Sequence, residues 1–137
     1  MTKTEARRII DGMPIMKSPR TDDQETIRQM VRGEIPWTQL KAIGISIDLE
    51  GNRCKIENPR GIVAKADVHD LAKGLLSYLN NPAELRQWAY LLEAGSSFLD
   101  LDVEDHPSGE QMLQALWKAS FGESISEDDK KLAQQLA

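Results

Sequence analysis

The strongest pattern along the chain is an apolar stripe between residues 68 and 79. Val68, Leu71, Ala72, Leu75, Leu76 and Leu79 recur at intervals of three and four, which places them on one face of a helix. Asp67 precedes the stripe as an N-cap, and Asn80-Asn81 ends it. Gly74 lies inside it, where glycine costs about 1 kcal/mol relative to alanine in an exposed helix. Its presence there predicts close approach by a neighbouring element. Asn81, Pro82 and Glu84 mark the start of a second helix with Leu85, Trp88, Ala89 and Leu92 on its inner face and Gly95 as its stop. The short joint predicts that these two helices form an antiparallel pair.

Weaker helical patterns flank them. Residues 3–11 allow a short helix with Ala6, Ile9 and Ile10 on one side, followed by an extended connector holding Pro14 and Pro19. Thr21 and Gln24 form a capping-box pattern ahead of Ile27, Met30 and Val31, and Gly33 is a stop. Pro36 opens a short helix with Trp37, Leu40 and Ile43 inward and Gly44 as its end. Ser108 and Gln111 are expected to cap a helix that buries Leu113, Leu116 and Trp117 and stops at Gly122. Ser126 caps a last helix, with acids in its first turn, Lys130 and Lys131 after them, and Leu132, Ala133 and Leu136 docking it.

Between residues 45 and 57 the period changes from helical to alternating. Ile45, Ile47 and Leu49, then Cys54 and Ile56, alternate with polar residues around Gly51-Asn52, which reads as a β-hairpin. Asn58-Pro59-Arg60-Gly61 is a turn, and Ile62-Val63-Ala64 is expected as a third short strand. The fold class that follows is α+β, mainly α, with five to six helices around a small antiparallel hairpin or three-stranded element. A chain of 137 residues suits one domain (1–137), made of an N-terminal helix and connector (1–20), short helices plus hairpin (21–66) and a helical part (67–137).

Composition narrows the class further. Hydrophobic content of 40% and charged content of 28% are ordinary for a folded protein rather than a disordered one. The single cysteine, Cys54, cannot form an internal disulfide, which suits a reducing compartment. No stretch reads as a signal-peptide core or a membrane span, so the expectation is a cytoplasmic protein. The net charge of −5 is unevenly spread. Residues 1–20 carry five basic and two acidic groups, residues 21–65 seven of each, and residues 66–137 five basic and thirteen acidic. The acidic half would repel a phosphate backbone and suits a basic protein partner or simple solubility.

The candidate chemistry is concentrated in residues 99–107. Asp100, Asp102, Glu104, Asp105 and His106 lie within seven residues. Oxygen ligands suit calcium, but the spacing lacks the glycine and the twelfth-position glutamate of a calcium loop. The alternation is that of an extended segment, with Leu99, Leu101 and Val103 inward and the acids outward. Histidine is the usual general base among side chains, so His106 could serve as one beside Asp105, yet no nucleophile is spaced to match it. His69 falls on the polar side of its helix. Cys54 sits on the apolar side of the hairpin and reads as a small hydrophobe. Arg53, Lys55, Arg60 and Lys65 form a modest basic cluster without interleaved aromatics, so nucleic acid is not an expected partner. No phosphate-binding glycine loop occurs, and no cofactor or metal is expected. Trp37, Trp88 and Trp117 all read as core.

Three segments, Gly33-Glu34-Ile35-Pro36-Trp37, Asn58-Pro59-Arg60-Gly61 and Leu85-Arg86-Gln87-Trp88-Ala89, together resemble a family of small uncharacterised bacterial proteins and, more loosely, bacterial toxin-immunity proteins. That resemblance implies a small acidic cytoplasmic protein that inhibits by binding a basic toxin, and it assigns no functional residue. The leading functional expectation is therefore a non-enzymatic protein-binding module using Asp100, Asp102, Glu104, Asp105 and His106. The alternatives are an enzyme built on Asp105 and His106, and an oligomerising structural subunit.

Overall fold

A computed structural model describes residues 21–50 and 53–137. The expected helix over residues 3–11, the connector to residue 20 and the Gly51-Asn52 turn lie outside the described residues. Helix α1 (Thr21–Val31) buries Ile27, Met30 and Val31 completely. It ends where Gly33 takes φ +76°, so that Gly33 N–H donates to Met30 O at 3.1 Å and Glu34 N–H to Gln29 O at 2.9 Å. This double closure needs a left-handed residue, which glycine supplies without a Cβ penalty. Gln24 also reaches beyond its own helix. Its Nε2 donates to the Val63 carbonyl at 3.1 Å and ties α1 to the chain 39 residues on.

The segment opened by Pro36 is a 3-10 helix (Trp37–Ile43) that buries Leu40 and Ile43 and leaves Trp37 partly covered against the core. The hairpin follows as expected, with β1 (Ser46–Glu50) antiparallel to β2 (Arg53–Glu57). Its register sets Ile47 opposite Ile56 and Leu49 opposite Cys54 on one face. Asp48 faces Lys55 and Glu50 faces Arg53 on the other, so opposite charges pair across the strands.

The third strand departs from the expectation. It is β3 (Ala64–Ala66), and it does not join the hairpin. It pairs in parallel with β4 (Leu99–Leu101), which lies in the extended acidic segment. Three residues carry too little alternation to reveal a strand, and a parallel partner lies across a crossover that local patterning cannot see. Asn58 braces this arrangement: its side-chain amide donates to Ile62 O at 2.8 Å and to Ser97 O at 2.9 Å.

The crossover consists of α2 (Val68–Ser77) and α3 (Pro82–Ala94). Asp67 and Asp70 form a capping box on α2, and the Asn81 side chain accepts from Glu84 N–H at 3.2 Å to start α3. Helices α4 (Gly109–Ser120) and α5 (Glu127–Leu136) complete the chain. The molecule is α+β and mainly α, with six helical segments among the described residues.

The packing of these helices corrects the expected α2–α3 pair. Instead, α3 lies along α4 and α2 lies along α5. The end of α1 meets both of the helices expected to pair. The Val31 carbonyl accepts a hydrogen bond from Trp88 Nε1 at 3.1 Å in the buried interior. A Cβ on Gly74 would collide with that same carbonyl and with the Trp88 indole. The last turn of α1 is thus wedged against both α2 and α3, and the close approach expected at Gly74 is realised there. Arg32, just past the wedge, bonds Glu34 Oε2 at 2.8 Å, Asp70 Oδ1 at 3.3 Å and Glu25, pinning α1 to the first turn of α2.

Gly74→Ala should destabilise the fold by about 1–3 kcal/mol through overpacking, opposite in sign to the gain at an exposed helical site. Trp88→Phe should cost a further, separate ~1–3 kcal/mol by orphaning the Val31 carbonyl. Urea unfolding reads both, and a stabilised Gly74→Ala protein would refute the wedge. The Arg32 hydrogen bond holds the Glu34 carboxyl below its usual range. A depressed carboxyl contributes stability above its unfolded pKa of about 4.3, lost as pH falls through the folded value. Melting temperature should therefore fall more steeply on acidification below about pH 4.3 in the parent protein than in Arg32→Met.

Candidate functional site

The acidic residues singled out from the sequence form one edge of the molecule. Leu99 and Val103 are buried and Leu101 is partly covered, while Asp100, Asp102, Glu104 and Asp105 are exposed. The expected alternation is realised because β4 is anchored on β3. Asp102 N–H donates to Ala66 O at 2.8 Å, and Lys65 stands in register beside Asp100. Gly109 lets the start of α4 approach so closely that a Cβ would strike the Val103 carbonyl. The ridge is therefore built on a braced frame rather than on a free loop.

His106 belongs to that frame. Its Nδ1 accepts the Ser108 N–H at 3.0 Å, so the ring hydrogen sits on Nε2. The imidazole thus takes the N-cap amide hydrogen that the Gln111 side chain was expected to take, and the Ser108 hydroxyl makes no side-chain cap at the start of α4. A His106 committed in this way has its Nδ1 lone pair occupied by the backbone. His69 is exposed, and its Nδ1 donates to the Leu136 carbonyl at 2.7 Å, joining α2 to the last turn of α5. The two rings meet edge-on with centroids 5.7 Å apart. Nothing in the sequence pattern linked these histidines, which come together through tertiary packing alone. No group of three or more His, Cys, Asp or Glu side chains among the described residues is arranged to hold a metal ion.

Gln111, the other expected capping residue, also works elsewhere. Its Nε2 donates to Asp129 Oδ1 at 3.1 Å, and Asp129 is only 6% exposed. Buried in the first turn of α5, this carboxylate is held by Gln111 and by the positive end of the helix.

A second surface was not expected. Trp117 is 55% exposed and Phe121 63%, in edge-to-face contact with centroids 5.0 Å apart. The buried face of α4 is Met112, Ala115, Leu116 and Ala119, with Leu113 partly covered. Small alanines face the core at Ala115 and Ala119, and Trp117 falls one step past the edge of that face. Its apolar character suggested burial, but helical phase decides the outcome. Trp117 and Phe121 form the lip of a groove of about 780 Å³ that also takes in Leu49 from β1 and Arg86, Tyr90 and Glu93 from α3. Burial pushes the Glu93 carboxyl up. The signal that could have revealed this surface was the spacing of Trp117 and Phe121 at i and i+4, at the very end of a helix.

The remaining sequence candidates have local roles. Cys54 is half-buried on the apolar side of the hairpin, and burial, then the charge of Asp48, pushes its thiol up. Arg53, Lys55 and Lys65 each face a carboxylate across a strand pair. Arg60 donates to Ile43 O and Asp23 Oδ2, each at 3.1 Å. No described helix is long and apolar enough to cross a membrane. No family model, curated protein or solved structure matches the chain.

Trp117→Ala should cost no more than about 1 kcal/mol, whereas neighbouring Leu116→Ala should cost about 2–5 kcal/mol. Equal losses in urea unfolding would place Trp117 in the core after all. Cys54 should react with a thiol probe at neutral pH more slowly than a free thiol of pKa about 8.5.

Proposed function

We propose that this chain acts by binding another protein, presenting Asp100, Asp102, Glu104 and Asp105 to a basic partner, in the manner of an immunity-like inhibitor. The observation that carries this reading is the braced edge. Four exposed carboxylates stand on β4 and the turn after it, and strand pairing, the Gly109 approach and the His106 hydrogen bonds fix the backbone beneath them. Ordered like charges of this kind lose little conformational freedom on association and steer an oppositely charged partner toward contact. The excess of acidic groups over residues 66–137 works in the same direction.

The alternative built on Asp105 and His106 as catalytic groups has less support. For His106 to take a proton at Nδ1 it must first give up the Ser108 amide, which begins α4. A positioning role for the histidine accounts for its hydrogen bonds, and the neighbouring acids remain free to meet a partner.

The test is affinity capture from cells of the source organism with the parent chain and with Asp102→Lys/Glu104→Lys. The reading predicts a basic protein that is retained at low salt, released as salt rises, and lost from the charge-reversed chain. Both chains should melt within about 0.5 kcal/mol of each other, since the altered residues are exposed. Retention of every captured protein by the charge-reversed chain would overturn the proposal.

A further inference from the structure

The groove beneath Trp117 and Phe121 lies apart from the acidic edge and carries a separate reading. We propose that it is covered by a second copy of this chain in a two-fold, isologous dimer, with the paired aromatic rings of each copy seated in the groove of the other. Three observations converge on that occupant. First, Trp117 and Phe121 are two of the three exposed large hydrophobic residues among those described. Second, the exposed rings and the groove they line share one face, which is what a self-complementary patch requires.

Third, the charges on that face match themselves under a two-fold rotation. Arg86 and Glu93 are seven residues apart on α3 and both line the groove. Seven residues make nearly two full turns, so the two charges share a face about 10 Å apart along the axis. A two-fold axis midway between them runs the α3 helices antiparallel. Arg86 of each copy then stands opposite Glu93 of the partner subunit, and the contact is made twice. Any arrangement that set like charges opposite each other would be disfavoured.

The experiment is sedimentation velocity on the full chain from about 1 μM to about 1 mM, a range that brackets a weak to moderate dimer. The parent chain should pass from monomer to dimer. Arg86→Glu alone and Glu93→Arg alone should each weaken the dimer by at least about tenfold, since each sets like charges opposite one another twice. The double exchange Arg86→Glu/Glu93→Arg should return affinity to within about threefold of the parent. Trp117→Ala should weaken dimerisation while leaving the circular dichroism spectrum unchanged. A chain that stays monomeric throughout would overturn the proposal and point to a foreign occupant. A dimer insensitive to Arg86→Glu, or one that the double exchange fails to restore, would also overturn it.

Discussion

One hydrogen bond organises the interior. The last carbonyls of a helix have no partner within it, and when buried they must find one elsewhere. At the end of α1 the Val31 carbonyl finds the Trp88 indole N–H, in a space left open by the missing side chain of Gly74. Three helices are thereby committed to one point. Beyond that point α2 and α3 each run along another neighbour, α5 and α4 respectively. The seam between α3 and α4 is where the aromatic groove opens.

Electrostatics reinforces the same junction. Arg32 lies beside the C-terminal end of α1, where a cation is favourable, and it gathers carboxylates from its own helix, from the turn after it and from α2. Asp70 serves twice there, accepting from Arg32 and closing the cap on α2 through the Asp67 N–H at 3.0 Å. The polar contacts thus lock a geometry that apolar packing creates.

Much of this was legible in the residues. The helix stops at Gly33 and Gly44, the hairpin of β1 and β2, the cap at Asp67 and the tight approach at Gly74 all follow from local chemistry. What escaped was decided at a distance. The β3–β4 pairing joins two three-residue strands, too short to announce themselves. The meeting of His69 with His106 depends on how α2, α5 and the turn before α4 converge. Trp117 was misplaced because α4 carries more apolar positions than its buried face accepts, and phase relative to Ala115 and Ala119, not hydrophobicity, settles which remain outside. Of the acidic edge, the alternation and exposure were readable from the sequence. The bracing by Gly109 and His106 was not.

The parallel pairing of Ala64 with Leu99 has a kinetic corollary. These residues are separated by two complete helices, and closing so long a loop carries an entropic cost before any strand contact can repay it. Forming α2 and α3 first shortens that loop and so lowers the cost of setting the β4 register. The carboxylates beyond it become a fixed array at the same moment, so a nascent or unfolded chain offers the same charges without their order. The order of the acidic edge thus hangs on a long-range contact, and loosening the β3–β4 pairing would loosen the charges with it.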